Sequence, residues 1–428
     1  MVKVPLDYPI GTPGQSWGPS EKYTWLSSRQ VRRSYHDDVV RPLYDLLSSD
    51  DHGDGDGDGV EGSSTSFSTD FEIVQYGELH VPRCDDCDGD VNRPPSSSTK
   101  TSNSLPLLAV KSKSLTAFKP TVLITGGTHG YETSGVLGAL SFLTSGKARY
   151  YHNYFNVVVV PCVCPWGYER VERWVAEAVD PNRSFERASS DSLNGGGSVS
   201  GELLRTRESN QLIEFLDSLQ VTCTAANVGE VSNGGMMDAI NINSEECDKP
   251  LKWLCHMDLH ETTDSDFTEF RPAKAARDGG LEYDDHIPDG FYLVGDSERM
   301  EGELSTGDDP VSDHSDGGKR RKQLQMGFYQ AILNAVKRVT HIAEMEDYTD
   351  GHGKKLLSGY PAESKGLILV PCRPLGLCAG GAVPSADYLA TTEVYPDSER
   401  TNGEECTRAQ VESVCGGLDY LLETVVGS

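Results

Sequence analysis

The sequence predicts an α/β fold: a mixed, mostly parallel sheet with helices on both faces, in one large domain with low-complexity insertions at its surface. Three observations predict it. Near-continuous apolar runs at 121–127 (TVLITGG), 156–163 (NVVVVPCV) and 251–260 (LKWLCHMDLH) are what strands covered on both faces require. Between them lie stretches with the apolar spacing of helices, at 132–144 and 203–219. The Gly, Ser and Asp that hold the apolar share to 37% are gathered into a few segments, so the rest of the chain has a normal core-forming pattern.

Taken in order, the pattern predicts helices over 21–33 and 37–47, with Ser34 between them as an N-cap. Residues 49–66 (SDDHGDGDGDGVEGSSTS) are low in complexity. Asp54, Asp56, Asp58 and Gly59 resemble the start of a calcium loop, but the twelfth position is Thr65 where a bidentate Glu is needed. A solvated acidic linker is the expectation there. Residues 70–77 alternate like a strand, and 84–105 are again polar. After the strand at 121–127 come a helix at 132–144, a strand at 156–163, a helix at 203–219 and strands at 251–260 and 291–295. A long helix at 324–345, a strand at 366–370 and a terminal helix at 407–426 complete the set. Insertions near 187–201 and 296–320 read as surface loops, which lengthen a connection at small entropic cost. The expected organisation is an N-terminal helical extension (1–48), an acidic linker with a short strand (49–105) and a main domain (106–428) whose core is roughly 300 residues.

Lys plus Arg number 38 against 66 Asp plus Glu, a net charge of -28. Such a chain repels phosphate backbones and anionic lipid, so nucleic-acid and membrane-surface roles are disfavoured. No run approaches the ~20 apolar residues of a membrane helix. Residues 1–19 lack an apolar stretch followed by a small-residue cleavage site, so no secretory signal is expected. The 11 cysteines, an odd number, then read as reduced thiols of a cytoplasmic protein. Cys84 and Cys87 form a lone C-x-x-C without a second pair, an incidental spacing.

Two clusters carry candidate chemistry. His129 and Glu132 stand three apart just past a strand end, where glycines 126, 127 and 130 allow a tight turn. His256, Asp258 and His260 stand at i, i+2 and i+4, on one side of the strand predicted at 251–260. Three polar groups on one face of an apolar strand are costly unless paired or metal-bound. His260 is nearest the strand end, so Asp258 and His256 are expected to orient it. His129, Glu132 and His260 together make two imidazoles and one carboxylate, the composition of a catalytic zinc site with an open position, although iron uses a similar triad.

Five motifs occur in order: GGTHGYETSG (126–135), CPWGYERVERW (164–174), VDPNRSF (179–185), DLHET (258–262) and ATTEVYP (390–396). Over roughly 121 to 396 the chain resembles the zinc metallocarboxypeptidases in the broad sense, including the aspartoacylase and succinylglutamate desuccinylase type of deacylase. The resemblance implies a zinc exopeptidase-like fold binding one Zn2+ through His129, Glu132 and His260. It implies that Asn182 and Arg183 clamp the substrate's free carboxylate, a fit for a guanidinium fork. It implies Arg173 as the group polarising the scissile carbonyl, with Arg170 as rival, and Glu393 as the general base. The substrate-capping tyrosine stays open among Tyr283, Tyr292, Tyr360 and Tyr388. The chain departs from the usual peptidase pattern at Cys164 and Trp166, where Asn and Asp are common.

What the resemblance implies is a hydrolase of the amide bond next to a free carboxylate, acting on a peptide C-terminus. The alternative is an N-acyl amino acid deacylase, since GGTHG and DLHET lean toward that branch. A relative that only binds carboxylates or serves as a scaffold is the non-enzymatic alternative. Side-chain preference is not set: Asp264, Asp266 and Glu269 would favour basic groups, Arg271 and Lys274 acidic ones. Nothing in the sequence fixes the oligomeric state.

Overall fold

The computed structural model describes residues 3–48, 67–80, 104–186, 205–221, 250–284, 287–301, 314–344 and 365–427. Ten strands run in chain order: β1 (Lys3–Pro5), β2 (Phe71–His80), β3 (Ser104–Ser112), β4 (Thr121–Gly126), β5 (Asn156–Val160), β6 (Trp253–Glu261), β7 (Glu282–Asp284), β8 (Tyr292–Asp296), β9 (Leu367–Val370) and β10 (Tyr388–Val394). Eight of them form one mixed sheet in the order β2-β3-β5-β4-β6-β10-β8-β9, while β1 pairs with β7 apart from it. The four central strands β5, β4, β6 and β10 are parallel. All of β4 and β5 is buried, because the sheet is covered on both faces.

The helices are α1 (Pro19–Ser27), α2 (Arg41–Ser48), α3 (Phe67–Asp70), α4 (Thr133–Thr144), α5 (Lys147–His152), α6 (Pro165–Arg170), α7 (Arg207–Ser218), α8 (Arg271–Arg277), α9 (Ser297–Glu301), α10 (His314–Val336), α11 (Cys378–Gly381) and α12 (Gly403–Leu421). Alternation along each strand sends successive side chains to opposite faces. Val122 and Ile124 of β4 and Met257 and Leu259 of β6 enter the core filled by α4, α10 and α12. Leu123, Val158, Val160 and Leu389 face the other way, toward α7 and α11. A third cluster interleaves Trp17, Trp25, Trp166 and Trp174, which seat the N-terminal segment beside α6 and α8. Each ring buries on the order of 200 Å², so this segment is firmly docked.

Several boundaries differ from the sequence expectation. The helix expected over 21–33 stops at Ser27, because the amides of Arg32 and Arg33 both bond the carbonyl of Glu169 (2.7 and 3.2 Å) instead of continuing the helical ladder. Ser34 does receive the amide of Asp37, at the start of a π-type turn over His36–Val40. The long helix is displaced toward the N-terminus, ending at Val336. The strand β3, with Pro106 in it, was not anticipated. The Asp-Gly run and the Cys84/Cys87 pair lie outside the described residues.

Parallel central strands leave their carboxyl ends along one edge, where open α/β sheets hold ligands. β4 leads directly into His129 and Glu132, β6 carries His260 near its end, and β10 carries Glu393 in register opposite His260.

Candidate metal centre

The turn after β4 is built for close approach. Gly127 has φ 60, a left-handed value. A Cβ on Gly130 would stand 1.9 Å from the carbonyl carbon of Gly167, so only glycine fits. The turn brings His129 and Glu132 inward, both buried (2% and 1% exposed), against His260 (0%) of β6. The donor atoms of these three residues all lie within 4.8 Å of one another. Glu132 sits between the rings, with Oε1 2.7 Å from Nδ1 of His129 and Oε2 2.7 Å from Nδ1 of His260.

The outer nitrogens are committed elsewhere. Nε2 of His129 lies 2.9 Å from Oδ1 of Asp180, and Nε2 of His260 lies 2.6 Å from Oδ2 of Asp258. Each ring thus has a carboxylate oxygen at both nitrogens, and a cation seated between the rings and Glu132 would take the place of the protons on Nδ1, while Asp180 and Asp258 hold Nε2–H. Glu132 Oε2 and His260 Nδ1 are buried and face each other at 2.7 Å out of line for a hydrogen bond, and neither has another hydrogen-bond partner among the described residues. Burial raises the cost of charge on Glu132, but His260 and His129 outweigh it and hold its carboxyl at about 2. Burial likewise opposes charge on His260, yet Asp258 and Glu132 outweigh it and raise its proton affinity. A pocket that draws positive charge onto converging N and O donors fits a divalent cation.

Beneath His260 runs a relay. Thr125 donates its single hydroxyl proton to Oδ1 of Asp258 (2.6 Å), so at its 2.9 Å contact with Nε2 of His256 the imidazole donates. Thr128 adds a second hydroxyl to the same Oδ1 at 2.9 Å. Burial pushes the pKa of His256 down to about 4, keeping it neutral as this chain of donors demands. His256, Asp258 and Cys378 also have donor atoms within 4.8 Å. The hydroxyl of Thr125 fills the space among them, at 2.9, 2.6 and 3.9 Å, and burial pushes the Cys378 thiol up. That group is joined by hydrogen bonds through Thr125.

Arg173 stands at the edge of the centre, with Nε 3.3 Å from Asp180 Oδ2 and Nη1 3.2 Å from both Asp266 Oδ1 and the Tyr131 hydroxyl. Its rival Arg170 lies elsewhere, with its guanidinium over the Trp166 ring at 4.7 Å and bonded to Glu169 and Trp166. Asn182 accepts the amide of Cys378 at Oδ1 (2.7 Å), which leaves Nδ2 3.5 Å from His260 Nε2. Arg183 is exposed beside it, with Nη1 2.6 Å from the Asn182 carbonyl. Glu393 Oε2 accepts a hydrogen bond from Thr262 Oγ1 at 3.0 Å, and burial pushes its carboxyl up to about 7. Of the candidate tyrosines among the described residues, Tyr292 stands beside Glu393's partner, 2.7 Å from Thr262 Oγ1. Tyr283 lies in β7 against Val4, and Tyr388 lies at the opposite end of β10 beside Phe328. Tyr360 lies outside the described residues.

Sequence reasoning did not single out Asp180, Thr125, Thr128, Tyr131 or Glu261. Asp180 was discoverable, since it opens the same DPNR motif as Asn182 and Arg183. The hydroxyls were not, because their neighbours come from distant strands.

Among the described residues, no helix is long and apolar enough to cross a membrane. The sequence matches no family model and no curated protein. Solved structures of similar fold include carboxypeptidase A from Helicoverpa armigera, at 12% identity over 92% of this chain and 75% of that one, with a TM-score of 0.46. A metallo-carboxypeptidase from Burkholderia cenocepacia matches at 13% identity over 82% of this chain and 65% of that one, TM-score 0.42. Bovine thrombin-activatable fibrinolysis inhibitor, solved with a tick carboxypeptidase inhibitor, matches at 11% identity over 94% of this chain and 100% of that one, TM-score 0.43.

Proposed function

We propose that the chain is a zinc-dependent amide hydrolase acting next to a free carboxylate, a metallocarboxypeptidase that removes the C-terminal residue of a peptide. The observation that carries this is the meeting of His129, Glu132 and His260, each imidazole tied through its outer nitrogen to a buried carboxylate.

His129, Glu132 and His260 would hold the zinc ion, which would supply Lewis acidity to a bound water and to the carbonyl oxygen. Glu393 takes the proton of the attacking water and later delivers it to the leaving amine. A carboxyl held near 7 is suited to both transfers. Arg173 donates to the carbonyl oxygen as negative charge develops there. Its own carboxylate partners, Asp180 and Asp266, hold its plane in place. Arg183, the exposed cation beside Asn182, receives the substrate's terminal carboxylate, and Nδ2 of Asn182 adds a neutral donor. The seven described cysteines are free and buried, which supports a reducing, cytoplasmic setting.

The test is a turnover screen of the zinc-loaded protein on dipeptides with a free C-terminus, beside N-acetyl and N-succinyl amino acids. Release of the C-terminal residue from the dipeptides is the expected result. Turnover confined to the N-acyl amino acids would assign the deacylase reaction to the same residues. Tight zinc binding without turnover of either class would leave a carboxylate-binding scaffold.

A further inference from the structure

Glu261, the residue after the third ligand, is buried (4% exposed) and its carboxylate faces the start of α4. Oε2 accepts the amide of Thr133 at 2.8 Å and Oε1 accepts the amide of Ser134 at 2.6 Å. These are the first two amides of α4, and they have no partner within the helix. The N-cap of that helix is Glu132 itself, with φ -77 and ψ 86 and no cap bond from its own side chain.

An oxygen on an N-cap side chain ordinarily accepts the amide of the second or third helical residue. Here the amide of the second residue, Ser134, is already taken by a carboxylate from β6, which also holds the amide of the first, Thr133. The Glu132 side chain is released from capping and lies between the two imidazoles instead. The same bidentate contact ties α4, which begins at one ligand, to β6, which bears another. The backbone carbonyl of Glu261 adds a contact of 3.3 Å from the Tyr131 hydroxyl, between His129 and Glu132 in sequence.

We propose that Glu261 is a positioning residue of the metal centre: by occupying the amides of Thr133 and Ser134, it directs Glu132 at the metal and fixes the spacing between the β4 turn and His260. The proposal rests on the metal reading of His129, Glu132 and His260. It goes beyond that reading by assigning affinity to a side chain that never touches the ion. Glu261→Gln keeps the shape but turns an amide NH2 toward one of the two donor amides. It therefore breaks one bond and frees Glu132 to compete for that position.

The experiment measures zinc affinity of the full chain by chelator competition, together with melting of the metal-free protein. Wild type, Glu261→Gln and Glu261→Ala are compared with Asn402→Ala. That control removes an N-cap bond (Asn402 Oδ1 to the Glu405 amide, 3.0 Å) from α12, away from the centre. The expected result is a loss of affinity of about tenfold or more in both Glu261 variants and none in Asn402→Ala, even where the melting temperatures fall alike. Affinity unchanged in Glu261→Gln, with only melting lowered, would reduce Glu261 to an ordinary helix cap and overturn the proposal. If the wild type holds no zinc at all, the ligand reading fails, and this proposal with it.

Discussion

The Nε2 nitrogen of His129 lies 2.9 Å from Oδ1 of Asp180, while Oδ2 of the same carboxylate lies 3.3 Å from Nε of Arg173. One buried carboxylate thus anchors both the ring of a proposed metal ligand and the guanidinium proposed for the oxyanion. Burial works against its ionisation, but Arg173 and His129 outweigh burial and hold its pKa well below the usual carboxylate range. Asp180→Asn keeps the shape and removes the charge. Zinc affinity is expected to drop about 10–100-fold, read by chelator competition. Unchanged affinity would show that the ring needs no charged partner.

Glu393 is separable from metal binding. Glu393→Gln is expected to retain stoichiometric zinc by elemental analysis while turnover falls by about 10²–10⁴, the usual worth of a general base. The wild-type kcat/KM should rise with pH up to about 7, because burial holds Glu393 protonated below that value and a base must be ionised to act. A Glu393→Gln variant with normal turnover would remove this residue from the mechanism.

Arg183 is exposed, so its loss should leave the fold and the metal intact. Arg183→Ala is expected to raise KM at least tenfold for substrates with a free carboxylate, a loss of about 1.4 kcal/mol or more. Substrates with an amidated C-terminus should be unaffected. An equal effect on both would count against the clamp.

Away from the centre, Glu208 in the first turn of α7 is buried, and burial raises its carboxyl from 4.5 to about 7. Between those two values the folded chain holds a proton that the unfolded chain has released. Stability contributed by this group is therefore complete below about 4.5 and is lost as pH rises toward 7. Glu208→Gln should flatten that slope in urea titrations at pH 5 to 8 and raise stability above pH 7 by about 1–3 kcal/mol. A parallel offset at every pH would show that the carboxyl titrates alike in both states.

Which parts of the fold were legible follows from where the constraining atoms lie. β4, β5 and β6 were visible because strands buried on both faces must be apolar along their whole length, as Val157–Val160 and Leu123–Ile124 are. His129, Glu132 and His260 stood out because their motifs sit at strand ends, so spacing along the chain reported position in space. β3 passed unseen: it follows a polar stretch, contains Pro106, and owes its place to pairing with β2 and β5. The end of α1 was hidden for a related reason, since a carbonyl at Glu169 captures the amides of Arg32 and Arg33. Glu261 reads in sequence as one more acidic residue of a chain with 66, and only the α4 amides give it a task.

The guanidinium of Arg33 spans the same β4 turn from the other side. It donates to the carbonyl of Gly130, to Thr133 Oγ1 at 2.7 Å and to the Tyr168 carbonyl at 2.7 Å, with its plane 3.6 Å from the Tyr168 ring centre. Removing the chain through Arg33 would therefore strip these contacts from the turn that carries His129 and Glu132, so the outermost segment of the sequence braces the candidate site from outside.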